Sequence, residues 1–464
     1  MTEHSTDILI VGGGPGGIMT GMTSAQISPD KRITLVRPET KVLVPCGIPY
    51  IFGTLGGTDE DLIGELPFLQ AGGELLVDRV ESVDREARTA TLAGGDRIRW
   101  ERLVIATGSR AFMPPIPGAD LEGVHTIHKD YDYMDRFFRE VVAGVKRIVV
   151  VGGGFIGVEF ADEIAKRGIE VHLVEHHPHV LSRSFDRDAC LQVQAHLLDA
   201  GLQLHTSVRV QALEAGPDGA QVGGVRLVGG ERIGTDAVLI AAGSRPNVDL
   251  AKAMGLAISD KGAILVDAFQ RTREDPEIFA VGDCASKQDF FTRRPANALL
   301  ASQAAAEGRI AGMSLYALHA PRFNAGSISV YASQVGDLAF GVAGLTEAQA
   351  GELGFQVYRG ESRMPDHHPS TLPGTHEVYC RLIFAQLGGR LLGGQVIGGP
   401  TSGEILNAIG IAIQMRASAA DLASFQFGSQ PLLTASIHPI VGAAVNALAN
   451  HFQNARPAMG KMEG

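Results

Sequence analysis

Cysteine is scarce in this chain: there are four in 464 residues, Cys46, Cys190, Cys284 and Cys380, and no two stand in a CxxC spacing. That scarcity excludes a disulfide-stapled secreted scaffold and a compact zinc site, and it fits a reducing cytoplasm. No apolar run approaches the roughly 20 residues a membrane-spanning helix needs. The first, Ile8–Gly13, is far shorter, and the polar Met1–Thr6 before it does not read as an export signal. Excess positive charge is also missing. A net charge of −11 argues against a broad nucleic-acid surface, which needs a positive field. His176, His177 and His179, and likewise His367 and His368, lack a second matched ligand group at useful spacing, so no metal is expected.

Glycine, in contrast, is abundant, with 58 residues. Glycine serves where backbone turns sharply or approaches a ligand closely, so the excess points to many tight βα turns. The length predicts two to four domains, and 45% hydrophobic with 20% charged residues is ordinary globular composition.

The glycines fall into a pattern twice. Asp7–Val11 reads as a short strand and runs into Gly12, Gly14 and Gly17 in GxGxxG spacing. A helical stretch, Ile18–Gln26, and a second strand, Arg32–Val36, complete a βαβ unit. Such a turn lets backbone approach a pyrophosphate, and the helix N-terminus offers it unpaired N–H groups. The pattern returns after Lys146–Val151, at Gly152, Gly154 and Gly157, ahead of Glu159 and a helix to Arg167. The strand that follows, Glu170–Val174, ends in Glu175. An acid there accepts from both ribose hydroxyls and repels a 2′-phosphate, so this second site is expected to prefer NADH to NADPH. At the first site Arg37 stands where an acid is usual, and Glu39 is the candidate for the ribose role.

Two linking segments, Ala106-Thr107-Gly108-Ser109-Arg110 and Ala241–Asn247, and a late Ile278–Asp283 complete an ordered set. Asp283, a carboxylate at a strand end beside Gly282, can accept from ligand hydroxyls. Together these motifs resemble, over essentially the whole chain, the two-dinucleotide disulfide oxidoreductase flavoproteins. The resemblance implies an α/β fold of two Rossmann-like three-layer dinucleotide-binding domains plus a C-terminal α+β dimerisation domain. It implies an FAD domain split over 1–112 and 245–322, an NADH domain over 113–244, and a tail over 323–464 that pairs two subunits as a homodimer. Within the tail, Val378–Phe384 and Gly389–Ile397 read as strands and Ser402–Met415 as a helix. By the same resemblance Thr107, Gly108 and Asp283 contact FAD, and Glu159 lies near flavin and nicotinamide.

The redox centre is expected in Val44-Pro45-Cys46-Gly47-Ile48-Pro49-Tyr50. Two-cysteine reductases carry a second cysteine close by, but here Tyr50 and Ile51 stand in its place, so no local disulfide can form. The segment resembles the single-cysteine branch: coenzyme A disulfide reductases, NADH-dependent persulfide or polysulfide reductases, and NADH oxidases and peroxidases. A lone thiolate can attack a sulfur–sulfur bond and hold half the substrate as a mixed disulfide, or it can be oxidised by peroxide to a sulfenic acid. His438 lies in Thr434–Pro439, which resembles the His-Pro segment of the two-cysteine reductases. The glutamate that usually orients that histidine is missing.

The leading expectation is a cytoplasmic enzyme passing electrons from NADH through FAD and Cys46 to a small disulfide, persulfide or polysulfide of the coenzyme A type. No rhodanese-type segment is read in the sequence, so a persulfide is expected to arrive already formed or from a separate partner. An NADH oxidase or peroxidase is the alternative, although the first glycine loop has Pro15-Gly16 where peroxidase relatives often carry histidine. A reductase of an electron-carrier protein is a further alternative.

Overall fold

The computed structural model describes residues 2–296, 298–317, 323–367 and 373–454. The chain divides into two compact units. The first comprises 1–146, 213–223 and 236–327; the second comprises 147–212, 224–235 and 328–464.

The first unit is built on a five-stranded parallel sheet ordered Ile278–Ala280, Arg102–Ile105, Ile8–Val11, Ile33–Arg37, Glu74–Val77. The central strand Ile8–Val11 is apolar and buried throughout, because both faces of the sheet are covered there. The alternation of side chains sorts them: Leu9, Val11, Leu103 and Ile105 enter one core, and Ile8, Ile10, Val104 and Phe279 the other. Helix Pro15–Ile27 lies against helix Ala301–Ser314 through small residues. A Cβ on Gly308 would stand 2.5 Å from the Gly16 carbonyl oxygen. A four-stranded sheet, Glu3–Ser5, Arg97–Arg99, Thr89–Leu92 and Val80–Asp84, completes the layers.

In the second unit, strands Arg147–Val151, Glu170–Val174 and Gln203–His205 run parallel, with helices Phe155–Ala165 and Arg187–Asp199 in the connections. The tail forms a five-stranded antiparallel sheet ordered Tyr331–Val335, Leu338–Gly344, Leu391–Gly398, Glu377–Ala385, Val357–Pro365. Helices Ser402–Gln414 and Pro439–Asn454 pack on it. The expected strands and helix of the tail are present, with ends moved by one or two residues. One helix approaches very closely, since a Cβ on Gly360 would meet the Ala443 carbonyl oxygen at 2.0 Å. Among the described residues no helix is long and apolar enough to cross a membrane.

Candidate active site

The two glycine loops adopt the same backbone. Gly12 and Gly152 have φ of +115° and +114°, a region open to glycine and strained for other residues. Gly14 and Gly154 cap their helices with φ/ψ of −75°/−177° and −77°/−178°, and neither cap carries a side-chain hydrogen bond. A Cβ on Gly12 would strike the Ala106 carbonyl oxygen at 2.2 Å, and one on Gly17 the Gly12 carbonyl oxygen at 2.1 Å. A Cβ on Gly14 or Gly154 would meet nothing within 4 Å. The first loop is therefore closed on its protein side, and both are open at the glycine that caps an otherwise uncapped helix N-terminus, which fits a pyrophosphate.

At the first loop the buried strand-end side chain is Arg37, 2% exposed. Its Nε donates to the Glu39 carbonyl oxygen at 3.0 Å, and it pairs with Glu65. Its Nη1 is buried with no partner among the described residues, 3.4 Å from where a Gly13 Cβ would be. Glu39 is half-buried and contributes its backbone to this arrangement.

Behind this loop, the two linking segments pair with each other. Strands Ser109–Ala111 and Ser244–Pro246 are antiparallel, Thr107 Oγ1 donates to the Asn247 carbonyl oxygen at 2.7 Å, and Asn247 Nδ2 returns a bond to the Thr107 carbonyl oxygen at 2.9 Å. Gly108 takes φ +67°, and a Cβ there would meet nothing within 4 Å. Asp283 joins the group: its Oδ2 accepts from Ser109 Oγ at 2.6 Å and from Lys129 Nζ at 2.7 Å. Burial alone would raise this carboxyl, but Lys129, Ser109 and Lys287 together hold it below the usual range. Lys129 went unnoticed in the sequence, having no motif around it. Beneath Asp283, Lys287 Nζ donates to the Gly282 and Ala285 carbonyl oxygens at 2.6 and 2.9 Å and to Glu307 Oε2 at 2.9 Å. The Gly282 N–H also donates to Glu307 Oε2, at 2.9 Å.

Cys46 belongs to the first unit as well. It is exposed and forms no disulfide. The loop carrying it is clamped: the Val44 N–H donates to the Asp61 carbonyl oxygen and the Ile63 N–H to the Val42 carbonyl oxygen, both at 2.8 Å. A 3-10 helix, Ile48–Phe52, begins after the intervening Gly47, with Pro49 in its first turn. Phe52 anchors that helix against Phe137, ring centroids 4.8 Å apart. The other three cysteines are buried, and burial raises each thiol, that of Cys190 and that of Cys380 to about 12.

The second unit holds Gly152, Gly154, Gly157, Glu159, Glu175 and His438. Glu175 is 6% exposed at the strand end. Its Oε2 accepts from the Gly153 N–H and its Oε1 from the His177 N–H, both at 2.7 Å, so the carboxylate lies at the mouth of the second cradle. Ligand atoms of Glu175, His176 and His177 converge within 4.8 Å of one another, but both carboxylate oxygens already serve backbone amides. His368 lies outside the described residues. Glu159 accepts from Ser333 Oγ at 2.7 Å, and burial pushes its carboxyl up to about 7 despite that bond. His438 stacks on Phe427 at 4.1 Å and accepts from the Ile440 N–H at Nδ1. Burial pushes its imidazole down to about 4, which keeps it neutral.

Residues 6–305 match the pyridine nucleotide-disulphide oxidoreductase family, and residues 331–439 match the dimerisation domain of that family. A protein of Methanocaldococcus jannaschii named NADH oxidase is 30% identical over 95% of this chain and 98% of its own length. The NAD(P)H coenzyme A polysulfide/persulfide reductase of Pyrococcus horikoshii is 28% identical over 83% of this chain and 86% of its own. Among solved structures, the NAD-dependent persulfide reductase from A. fulgidus aligns with a TM-score of 0.87 at 26% identity, covering 97% of this chain and 84% of that one. With both cradles and the thiol in place, the chain belongs to the pyridine nucleotide-disulphide oxidoreductase family, whose cofactors FAD and NAD(P)H it uses.

Proposed function

We propose that the protein is an NADH-dependent reductase of a small sulfur–sulfur bond, a coenzyme A disulfide or persulfide or a polysulfide, with Cys46 as the redox thiol. The observation that carries this reading is that Cys46 is the one exposed cysteine of the four, held on a clamped loop. The Cys46 thiolate attacks one sulfur of the substrate; the S–S bond breaks, one half leaves as a thiolate, and the other stays on Cys46 as a mixed disulfide. The cofactor pair supplies the two electrons that restore the Cys46 thiolate and release the second half. The names of the Pyrococcus relative and of the A. fulgidus structure support a sulfur acceptor. The Methanocaldococcus relative supports an NADH oxidase as the second reading. Loss of NADH absorbance under strict anaerobiosis, with coenzyme A persulfide or disulfide as sole acceptor, separates the two. Saturable turnover supports the reductase; turnover that appears only on admitting air overturns it.

In this reading Gly12, Gly14, Gly17, Glu39, Thr107, Gly108 and Asp283 hold FAD on residues 1–112 and 245–322. Gly152, Gly154, Gly157 and Glu175 hold NADH on residues 113–244, with Glu159 beside the nicotinamide. Residues 323–464 pair two subunits of a cytoplasmic homodimer, and His438 serves as acid/base or thiolate partner.

Arg37 adds a donor to the flavin site that the sequence pattern did not suggest. Its unpartnered Nη1 at the cradle is expected to donate to the adenosine half of FAD. Arg37→Met should weaken FAD binding by about tenfold or more, the worth of one charge-assisted hydrogen bond. Titrating apoprotein with FAD and following flavin fluorescence checks this, and an unchanged affinity would remove Arg37 from the site.

Glu175 is expected to set nucleotide choice. Glu175→Ala should raise kcat/KM for NADPH relative to NADH by about tenfold, because the charge opposing a 2′-phosphate is gone. Steady-state kinetics with both nucleotides reads the ratio directly.

A further inference from the structure

The glycine after Cys46 is explained by a carboxyl group. Gly47 has φ −86° and ψ −20°, so its backbone does not require glycine. Space does: a Cβ there would lie 1.7 Å from Asp61 Oδ1 and 2.8 Å from Asp61 Cγ. The Asp61 carboxyl therefore fills the place of a side chain on the residue adjoining the redox thiol. Asp61 is 4% exposed, and its Oδ2 is buried with no hydrogen-bond partner among the described residues. On the same 3-10 turn, Thr58–Asp61, the Thr58 hydroxyl is also buried and unpartnered. Leaving such groups unsatisfied is unfavourable by itself, so their retention beside an exposed cysteine calls for a use.

We propose that Asp61 is a positioning residue for Cys46, a buried carboxyl that exchanges a proton load with the thiol so that the pair titrates as one coupled system. The proposal rests on Cys46 being the redox thiol. While the carboxyl is protonated it is neutral and leaves a Cys46 thiolate unopposed. Once ionised, it is a second negative charge packed against the residue adjoining that thiol, and it disfavours the thiolate.

The surroundings allow such coupling. The titratable and charged groups on the elements packed around Asp61 are Cys46 and Tyr50, Lys41, Asp59 and Glu60, and Tyr131, Asp132, Tyr133, Asp135, Arg136, Arg139 and Glu140 of helix Tyr131–Gly144. Lys41, Asp59 and Tyr131 form their own surface cluster, with Lys41 Nζ 2.6 Å and Tyr131 Oη 2.7 Å from Asp59 Oδ1. Among the described residues no cation pairs with Asp61, and burial pushes its carboxyl up to about 7. With the Asp61 carboxyl packed against Gly47, one residue from Cys46, like charges on the two groups in partly desolvated surroundings shift one another by roughly one pK unit or more.

Cys46 alkylation by iodoacetamide in the holoenzyme, followed by mass spectrometry of its peptide between about pH 5 and pH 9, tests this. The three other cysteines are buried, so the Cys46 peptide reads cleanly. The wild-type profile is expected to rise over a wider span than a single ionisation. Asp61→Asn should give a single-proton curve with its midpoint about one unit lower and a rate near neutral pH up to about tenfold higher. Identical midpoint and shape in the two proteins would overturn the proposal. If Asp61→Asn does not fold, a single-proton wild-type curve overturns it just as directly. Turnover of Cys46→Ser reports separately: full activity in that variant sinks the redox-thiol reading, whatever the alkylation profile shows.

Discussion

Replacing Cys46 with serine should lower NADH-driven reduction of a disulfide or persulfide by on the order of 10³-fold or more, while leaving FAD binding intact. The reason is chemical rather than structural. A serine hydroxyl is not ionised at neutral pH, and it has no sulfur with which to form a mixed disulfide. The swap is nearly isosteric at an exposed position, so neither the clamped loop nor the 3-10 helix Ile48–Phe52 should move. None of the other cysteines can take over. Cys190, Cys284 and Cys380 are buried, and burial keeps all three as thiols at neutral pH. Anaerobic NADH oxidation with and without the sulfur acceptor measures the loss, and the flavin absorbance of the purified variant confirms that cofactor is retained. Full turnover with every sulfur acceptor would move the protein toward the electron-carrier reading.

The second large effect is expected at Lys287. This ammonium lies within the fold against a Glu307 that is 0% exposed, and it holds the Gly282 and Ala285 carbonyls on either side of Asp283. Lys287→Met should destabilise the first unit by about 3–5 kcal/mol, because it strands a buried carboxylate and frees two carbonyls. The pH dependence has a definite sign. Burial already raises the Glu307 carboxyl, with Lys287 as the chief opposing charge, so removing the lysine raises it further. A carboxyl raised above its unfolded value favours the fold at low pH and loses that contribution as pH rises through the folded value. The defect should therefore be larger at pH 8 than at pH 5, to take two values about either side of the titration. Adding Glu307→Leu should recover much of the loss, since an apolar pair of similar volume replaces the ion pair without a stranded charge. Thermal melts followed by flavin release measure both effects. A Lys287→Met protein as stable as wild type at both pH values would show that the pair is not structurally important.

The sequence made the local part of the site legible. A strand, a GxGxxG turn and a helix N-terminus lie within about a dozen residues of each other, and at Gly12, Gly17 and Gly152 a positive φ or a close carbonyl demands glycine. That is why Gly12, Gly14 and Gly17, and again Gly152, Gly154 and Gly157, could be read without coordinates, and why Glu175 could be placed at a strand end. The lone cysteine was visible in the same way, through the absence of a second one nearby. Tertiary structure alone decided what faces these motifs. Arg37 looked like a mismatch until its guanidinium was found buried at the first cradle with one donor unpartnered. Lys129 reaches Asp283 across 154 residues and Lys287 reaches Glu307 across 20, pairings that no local period encodes. Gly47 looked like part of a family signature, and only the fold showed that it makes room for the Asp61 carboxyl. Backbone conformation is set by neighbours in the chain, so motifs that shape a turn can be read in order. Charge, burial and proton affinity are set by neighbours in space, which the chain brings together only when it folds.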